Sequence, residues 1–377
     1  MNGVATDGGT ASVDPSIRRG TLVPVTPGLS ICILVLEHAA LALDCLDALR
    51  RPGASPLGTE LVVVANGTPP DQLDSLTGHD DVVLVVNEVN LGFSAGCNQA
   101  ASVARAPLLV FLNDDSAVEE GCIDALVRTA SSDPEIGAVG SRIVAVDGTL
   151  QEAGSVLWRD GSAAHVGEGL PPGSDAYLEP RDVDYASANG LLVTRRAWNI
   201  VGGFDERFFP AYFEDVDLCL ALAAHGFRTR YEPRARVIHR GSQSTSSVYR
   251  GFLLTRNQRR LVEKWGHALD RFEPPPRKDS GRTFNDAVQR AVIDAASHHP
   301  AFDAEAASGA TVHHTHAPVS ADPVRAAEEL RAEYLYYLEQ RVADGDRRVT
   351  SLETYLSGLW GVRIRRWVGG RLARRRS

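Results

Sequence analysis

No apolar run in this 377-residue chain is long enough to cross a bilayer. The most hydrophobic stretch, Leu29 to Leu36, is cut off by Glu37 and His38. A basic excess is also missing. The formal charge is −9, which argues against nucleic acid as a partner, because phosphate binding needs a basic face. No C-x-x-C pair occurs. The odd, scattered set Cys32, Cys45, Cys97, Cys122 and Cys219 reads as reduced, buried thiols of a cytosolic protein. The N-terminus carries Asp7 and Asp14 without an apolar core, so a secretory signal is not expected. The last 15 residues contain no acid but seven arginines.

With 44% hydrophobic and 23% charged residues, the composition is that of a soluble globular protein. Its length allows one large catalytic domain with appendages. Residues 1–28 are rich in Gly, Thr, Ser and Pro and read as a flexible tail. From residue 29 strands and helices alternate. Strands are predicted at Ser30–Leu36, Glu60–Ala65, Val82–Val86 and Leu108–Leu112, and helices at Ala39–Leu49 and from Gln99 to Ala104. That rhythm implies parallel βαβ units, whose ligands bind beyond the carboxyl ends of the strands. The predicted ends carry Glu37–His38, Asn66–Gly67, Asn87–Asn90 and Asn113–Asp115. This domain is expected to run from 29 to 265. Residues 266–320 form a variable segment with Pro274–Pro276 and the tract His313-His314-Thr315-His316, read as a solvated loop. A helical extension is expected over 321–377, with Leu330, Tyr334, Tyr337 and Leu338 on one face. Packing on the main domain is the preferred reading of that stripe, and a homo-oligomer seam the alternative.

The most informative element is L-L-V-F-L-N-D-D-S, residues 108–116. A buried strand that ends in adjacent carboxylates is costly unless a cation or ligand neutralises them. Side chains alternate along a strand, so Asn113 and Asp115 share one face and Asp114 takes the other. Hard oxygen ligands suit Mg²⁺ or Mn²⁺ holding a diphosphate. The plainer alternative is a loop in which Ser116 and Glu119 form a helix capping box.

Two further constellations carry chemistry. The loop Asn90-Leu91-Gly92-Phe93-Ser94-Ala95-Gly96-Cys97-Asn98 permits close backbone approach and runs into a helix N-terminus, which favours an anion. It also matches the G-x-S-x-G nucleophile elbow of α/β-hydrolases, with Ser94, Asp215 and His239 in that family's order. Against that esterase reading, several residues separate the strand from Ser94, and Asp114 and Asp115 are left without a role. The second constellation, Gly202–Phe209 followed by Tyr212–Leu218, leads a glycine turn and aromatic loop into a helix whose first turn holds Glu214, Asp215 and Asp217. Asp217 reads as simple complementarity to the helix dipole. Glu214 and Asp215 stand beside an aromatic wall, where a base for an incoming hydroxyl can be held. Gly226 ends the helix, and a strand runs on to His239.

Taken together, the stretches V-V-V-A-N-G-T (62–68), N-L-G-F-S-A-G-C-N (90–98), F-L-N-D-D-S (111–116), G-L-L-V-T-R-R-A-W (190–198), V-G-G-F-D-E-R-F-F (201–209), F-E-D-V-D-L-C (213–219) and V-I-H-R-G-S (237–242) resemble the family 2 glycosyltransferases. The likeness is greatest to their rhamnosyl- and galactofuranosyltransferase-type members. It implies an α/β fold of the GT-A type: a Rossmann-like mixed sheet with flanking helices that binds a nucleotide-diphosphate sugar. It also implies Mg²⁺ or Mn²⁺ at a D-x-D-like site and inversion at the anomeric carbon. Asp115 matches the metal-binding acid, His239 a histidine that helps hold the metal, and Asp215 the general base. Asp114 and Asn113 belong to the donor-sugar element. Glu37 and Asn66 stand at strand ends that border the base. Asn90, Gly92, Asn98 and Glu214 are carried with the donor site. Two positions depart from the family: Ala65 replaces the usual Asp before Asn-Gly, and Asn113 replaces the first acid of D-x-D. Ala65 removes a base contact and leaves uridine or thymidine open, and the two changes together raise a non-catalytic donor-binding protein as an alternative. No second carboxylate suggests a covalent intermediate. The acceptor is a glycan, a glycolipid or a small molecule, as in cell-envelope assembly or natural-product glycosylation. The arginine-rich end, with Trp360 and Trp367, suits anionic lipid at the inner face of the membrane, with a solvated tail as the alternative.

Overall fold

The computed structural model describes residues 16–56, 58–171, 177–241, 247–275 and 323–343. The first half alternates β1 (Ile17–Arg19), β2 (Leu29–Val35), α1 (Ala39–Arg50), β3 (Thr59–Asn66), α2 (Pro70–Thr77), β4 (Val82–Asn87), α3 (Phe93–Val103) and β5 (Leu108–Asn113). There follow β6 (Ser116–Val118), α4 (Cys122–Ser132), β7 (Ile136–Ala145), β8 (Leu150–Ala153), β9 (Ser155–Leu157), β10 (Ala163–His165), β11 (Arg181–Asp182) and β12 (Leu191–Thr194). The chain closes with α5 (Arg195–Val201), α6 (Glu214–Ala224), β13 (Arg228–His239), α7 (Ser247–Trp265) and α8 (Pro323–Ala343).

The main sheet runs β1-β4-β3-β2-β5-β12-β7-β13-β11, with β6 beside β13 and β8 beside β7. Strands β2 to β5 are mutually parallel, while β12 lies antiparallel between β5 and β7. Every residue of β2 is buried, as a strand covered on both faces requires. Its alternation divides the core. Ile31 and Ile33 pack with Ala42, Leu46, Ile123 and Leu126 of α1 and α4, whereas Cys32 and Leu34 pack with Cys97, Trp198 and Val216 of α3, α5 and α6. All five cysteines are buried free thiols.

Four sequence expectations need correction. The segment 1–28 is not a tail throughout, because β1 pairs antiparallel with β4 and Val23 is buried in the core. Helix α3 starts at Phe93, so Gln99–Ala104 is its end and not its beginning. Ser116 caps no helix: it opens β6, and α4 begins only at Cys122 behind Gly121. The domain core also continues past 265, where Leu269 and Phe272 join Trp265.

The stripe on α8 is a packing face. Leu330, Tyr334 and Leu338 are buried against Phe209, Tyr249, Phe252 and Leu253, and Arg256 of α7 pairs with Glu333. The tail 1–15, the histidine tract and the arginine-rich end lie outside the described residues. Among the described residues no helix is long and apolar enough to cross a membrane.

Candidate active site

The carboxyl ends of β2, β3, β4 and β5 form one edge, and the acidic turn stands on it. After Asn113 the chain turns through Asp114 and Asp115 into β6, which pairs antiparallel with the end of β13 in the register His239↔Ser116. That pairing brings residues distant in sequence together: His239 Nε2 lies 3.2 Å from Asp115 Oδ1, and Asp115 is only 5% exposed. Gln151 fixes the imidazole. Its Nε2 donates to the His239 carbonyl at 3.4 Å, so its Oε1 is the atom 2.7 Å from His239 Nδ1. Nδ1 is therefore the protonated nitrogen, and in the neutral ring the Nε2 lone pair confronts a carboxylate. Two acceptors facing each other call for a proton or a cation between them. Asp114, the neighbouring acid, is pushed up to about 7 by burial and by the Asp115 charge, while the Leu36 N–H draws it back. Among the described residues no group of three His, Cys, Asp or Glu forms a closed metal site. Asp115 Oδ1 and His239 Nε2 could supply two ligands to a cation that takes its remaining oxygens from diphosphate and water.

The second acidic centre is the start of α6. Tyr212 and Phe213 take φ of 76° and 75°, a left-handed pair rare for bulky residues, directly before Glu214. Asn257 of α7 holds them there. Fully buried, it donates from Nδ2 to the carbonyls of Phe208 (3.0 Å), Ala211 (2.9 Å) and Tyr212 (2.9 Å). Asn257→Ala is expected to cost about 2–4 kcal/mol, because it leaves buried carbonyls unpaired under a strained loop. A melting temperature equal to that of the parent would contradict this role.

Asp215 accepts the Val216 N–H at 2.8 Å and the Ala188 N–H. Burial, with the charge of Glu152, raises its pKa to about 6. Glu214 is buried and its Oε2 has no partner among the described residues; burial and the Asp215 charge raise it well above the usual carboxylate range. Asp217 does more than complement the helix dipole. Its carboxylate binds Lys264 Nζ at 2.7 Å and the Trp265 indole at 2.9 Å, tying α6 to α7.

Several sequence-chosen residues also build the scaffold. Asn66 is 1% exposed and gives its amide to Asn90 Oδ1 and the Gly92 carbonyl, each at 3.1 Å. Its Oδ1 takes the Leu91 N–H and Asn87 Nδ2. Asn90 Oδ1 also accepts the Gly92 N–H at 2.8 Å. Asn98 clamps the Gly-Gly-Phe turn, donating to the Phe204 carbonyl at 2.9 Å and accepting its N–H at 3.0 Å. Gly92 is required by packing, since a Cβ there would stand 2.6 Å from the Phe209 ring. The first N–H of α3, on Phe93, is taken by the Pro210 carbonyl, so that helix end is partly closed to an anion. Glu37 is exposed at the rim, and Asn113 is half-buried beside the turn. The elbow does not form: Ser94 is buried in the first turn of α3, while the ring nitrogens of His239 face Asp115 and Gln151.

Sequence reasoning missed the segment that joins the two acidic centres. The Ser187 N–H donates to Glu152 Oε1 at 3.0 Å, and the next N–H, on Ala188, reaches Asp215. Asn189 Oδ1 then accepts the Asn113 N–H at 3.2 Å and the Ser116 hydroxyl at 2.9 Å. Glu152 is thus a second carboxylate whose charge acts on Asp215. Its oxygens are occupied by Ser187, by Ser155 at 3.1 Å and by His165 at 3.3 Å, which makes it a support and a poor nucleophile. The available signal was Ser-Ala-Asn-Gly, a polar run set directly before the apolar strand β12.

Comparison with known proteins agrees with this geometry. Residues 30–166 match the family described as Glycosyl transferase family 2. This stretch is a glycosyl transferase family 2 domain. The domain is similar to the N-acetylglucosaminyl-diphospho-decaprenol L-rhamnosyltransferase of Mycobacterium tuberculosis, 36% identical over 189 residues, 44% of this chain and 61% of that protein. It is also similar to the O-antigen biosynthesis protein RfbC of Myxococcus xanthus, 33% identical over 58% of this chain and 18% of that protein. The chain therefore spans less than two thirds of either relative. Among solved structures, GalNAc-T7 crystallised with UDP, GalNAc and Mn²⁺ aligns with a TM-score of 0.52 at 15% identity, covering 74% of this chain and 59% of that one. The family 2 domain thus has the GT-A fold, a mixed sheet flanked by helices.

Proposed function

We propose that this protein is an inverting, metal-dependent glycosyltransferase that moves a sugar from a nucleotide-diphosphate donor to an acceptor hydroxyl. The observation that carries the reading is the pairing of buried Asp115 with half-buried His239, 3.2 Å apart on the ligand-binding edge of a GT-A sheet. Those two side chains would hold Mg²⁺ or Mn²⁺, which when bound stabilises charge on the departing diphosphate. Asp215, held by two backbone N–H groups, takes the proton of the acceptor hydroxyl. The acceptor oxygen bonds to the anomeric carbon as the bond from that carbon to the diphosphate breaks on the opposite face. Glu152, fully engaged by its own partners, offers no competing nucleophile, which supports inversion. The relatives' printed names support an acceptor among lipid-linked cell-envelope glycans, and action in the cytoplasm at the inner face of the membrane is part of the same proposal.

The test is a melting-temperature screen with UDP- and dTDP-sugars, with and without Mn²⁺. A donor present at about 100 times its Kd stabilises by about 2.7 kcal/mol, a shift of several degrees. The expected result is a shift that needs both nucleotide sugar and metal. If no nucleotide sugar moves the transition, the reading is overturned.

A further inference from the structure

Asn189 is 6% exposed, and its Nδ2 has no hydrogen-bond partner among the described residues. The amide orientation is fixed, because the Asn113 N–H can only donate and so must face Oδ1. A buried donor left unpaired is costly, so such groups are found where a ligand or water completes them. The position of this one is informative. Asn189 Oδ1 is bonded to the acidic turn at Asn113 and Ser116, and the preceding residue, Ala188, holds Asp215. In an inverting displacement the leaving diphosphate and the attacking hydroxyl stand on opposite sides of the anomeric carbon. A segment that reaches from the diphosphate-holding turn to the base therefore runs alongside the sugar.

On the strength of the function proposed above, we infer that Asn189 is a sugar-recognition residue whose Nδ2 donates to a hydroxyl of the donor's glycosyl unit. The acidic turn would hold the diphosphate through the cation, and Asn189 reads what is attached to it. A site that hydrogen-bonds a substrate hydroxyl discriminates strongly against an analogue lacking it.

The experiment starts from whichever UDP- or dTDP-sugar stabilises the protein with Mn²⁺. Calorimetry then gives Kd for that compound and for its free nucleoside diphosphate, on the parent, Asn189→Ala and Asn189→Asp. Both variants are expected to weaken the nucleotide sugar roughly tenfold relative to the diphosphate. The charge added in Asn189→Asp acts on both ligands alike and cancels in the ratio. A second arm needs no altered protein: among nucleotide sugars with single hydroxyls replaced by hydrogen, one is expected to bind the parent roughly tenfold more weakly. Equal weakening of both ligands, or parent affinity that no deoxy analogue reduces, assigns the amide to turn support or a resident water and overturns the inference. Failure of every nucleotide sugar to bind the parent is a different result, and it removes the proposed function as well.

Discussion

Asp215→Asn is expected to lower turnover roughly 10²–10⁴-fold, the range for losing a positioned general base, while donor affinity stays near that of the parent. The substitution keeps the side-chain shape and an acceptor oxygen for the Val216 N–H. What it removes is the capacity to take a proton. The pH profile supplies an independent check. Burial, helped by the Glu152 charge, raises Asp215 to about 6, and the reaction needs its ionised form. Activity should therefore fall about tenfold per unit as pH drops below that value and level off above it. Raised carboxylate pKa values also mean that the folded protein holds this proton more tightly than the unfolded chain. Stability from this group is present at low pH and is lost as pH rises from about 4 through 6. Activity and stability should thus move in opposite directions across that window. A variant with near-normal turnover would remove Asp215 from its role.

The second large effect is expected at the ion-binding pair. Asp115→Ala should abolish the dependence of donor affinity on Mn²⁺ and lower turnover roughly 10²–10³-fold, because a bound cation supplies several kcal/mol of charge stabilisation. His239→Ala should act in the same direction. Gln151, which orients the imidazole through Nδ1, should give a milder loss on change to Ala, roughly tenfold in metal affinity. Manganese titration followed by donor calorimetry reads all three. Unchanged metal dependence in Asp115→Ala would exclude this carboxylate as a ligand.

The parallel half of the fold was legible because strands buried on both faces read as continuous apolar runs, as β2 does. The start of α3 was not. Phe93-Ser94-Ala95-Gly96 contains little helix propensity, and packing decides the matter: a Cβ on Gly96 would stand 2.3 Å from Leu34, so the helix lies directly against β2. The acids were visible for a similar reason, since a carboxylate after an apolar strand breaks its pattern. The pairing of Asp115 with His239 was suggested by residue type at two strand ends and by resemblance, while spacing cannot reveal the β6–β13 register that creates it. The asparagines misled. Asn66 and Asn98 look like ligand contacts in a polar loop, yet both ends of their amides hold that loop and its neighbour together, as Oδ1 of Asn90 does. Residues 187–189 gave only the polar run Ser-Ala-Asn-Gly as a signal, because Ser187 and Ala188 act through backbone N–H groups, which any sequence possesses.

The three-residue bridge at 187–189 has a consequence for how relatives are compared. The stretch that matches the family ends at residue 166, so it contains Asp115 and Glu152 but neither His239, nor Asp215, nor the bridge. A homologue sharing only that stretch would inherit one member of each bonded couple and not its counterpart. Kinship over the first half licenses an inference about ancestry, while competence for transfer has to be read from the later segments that close each couple.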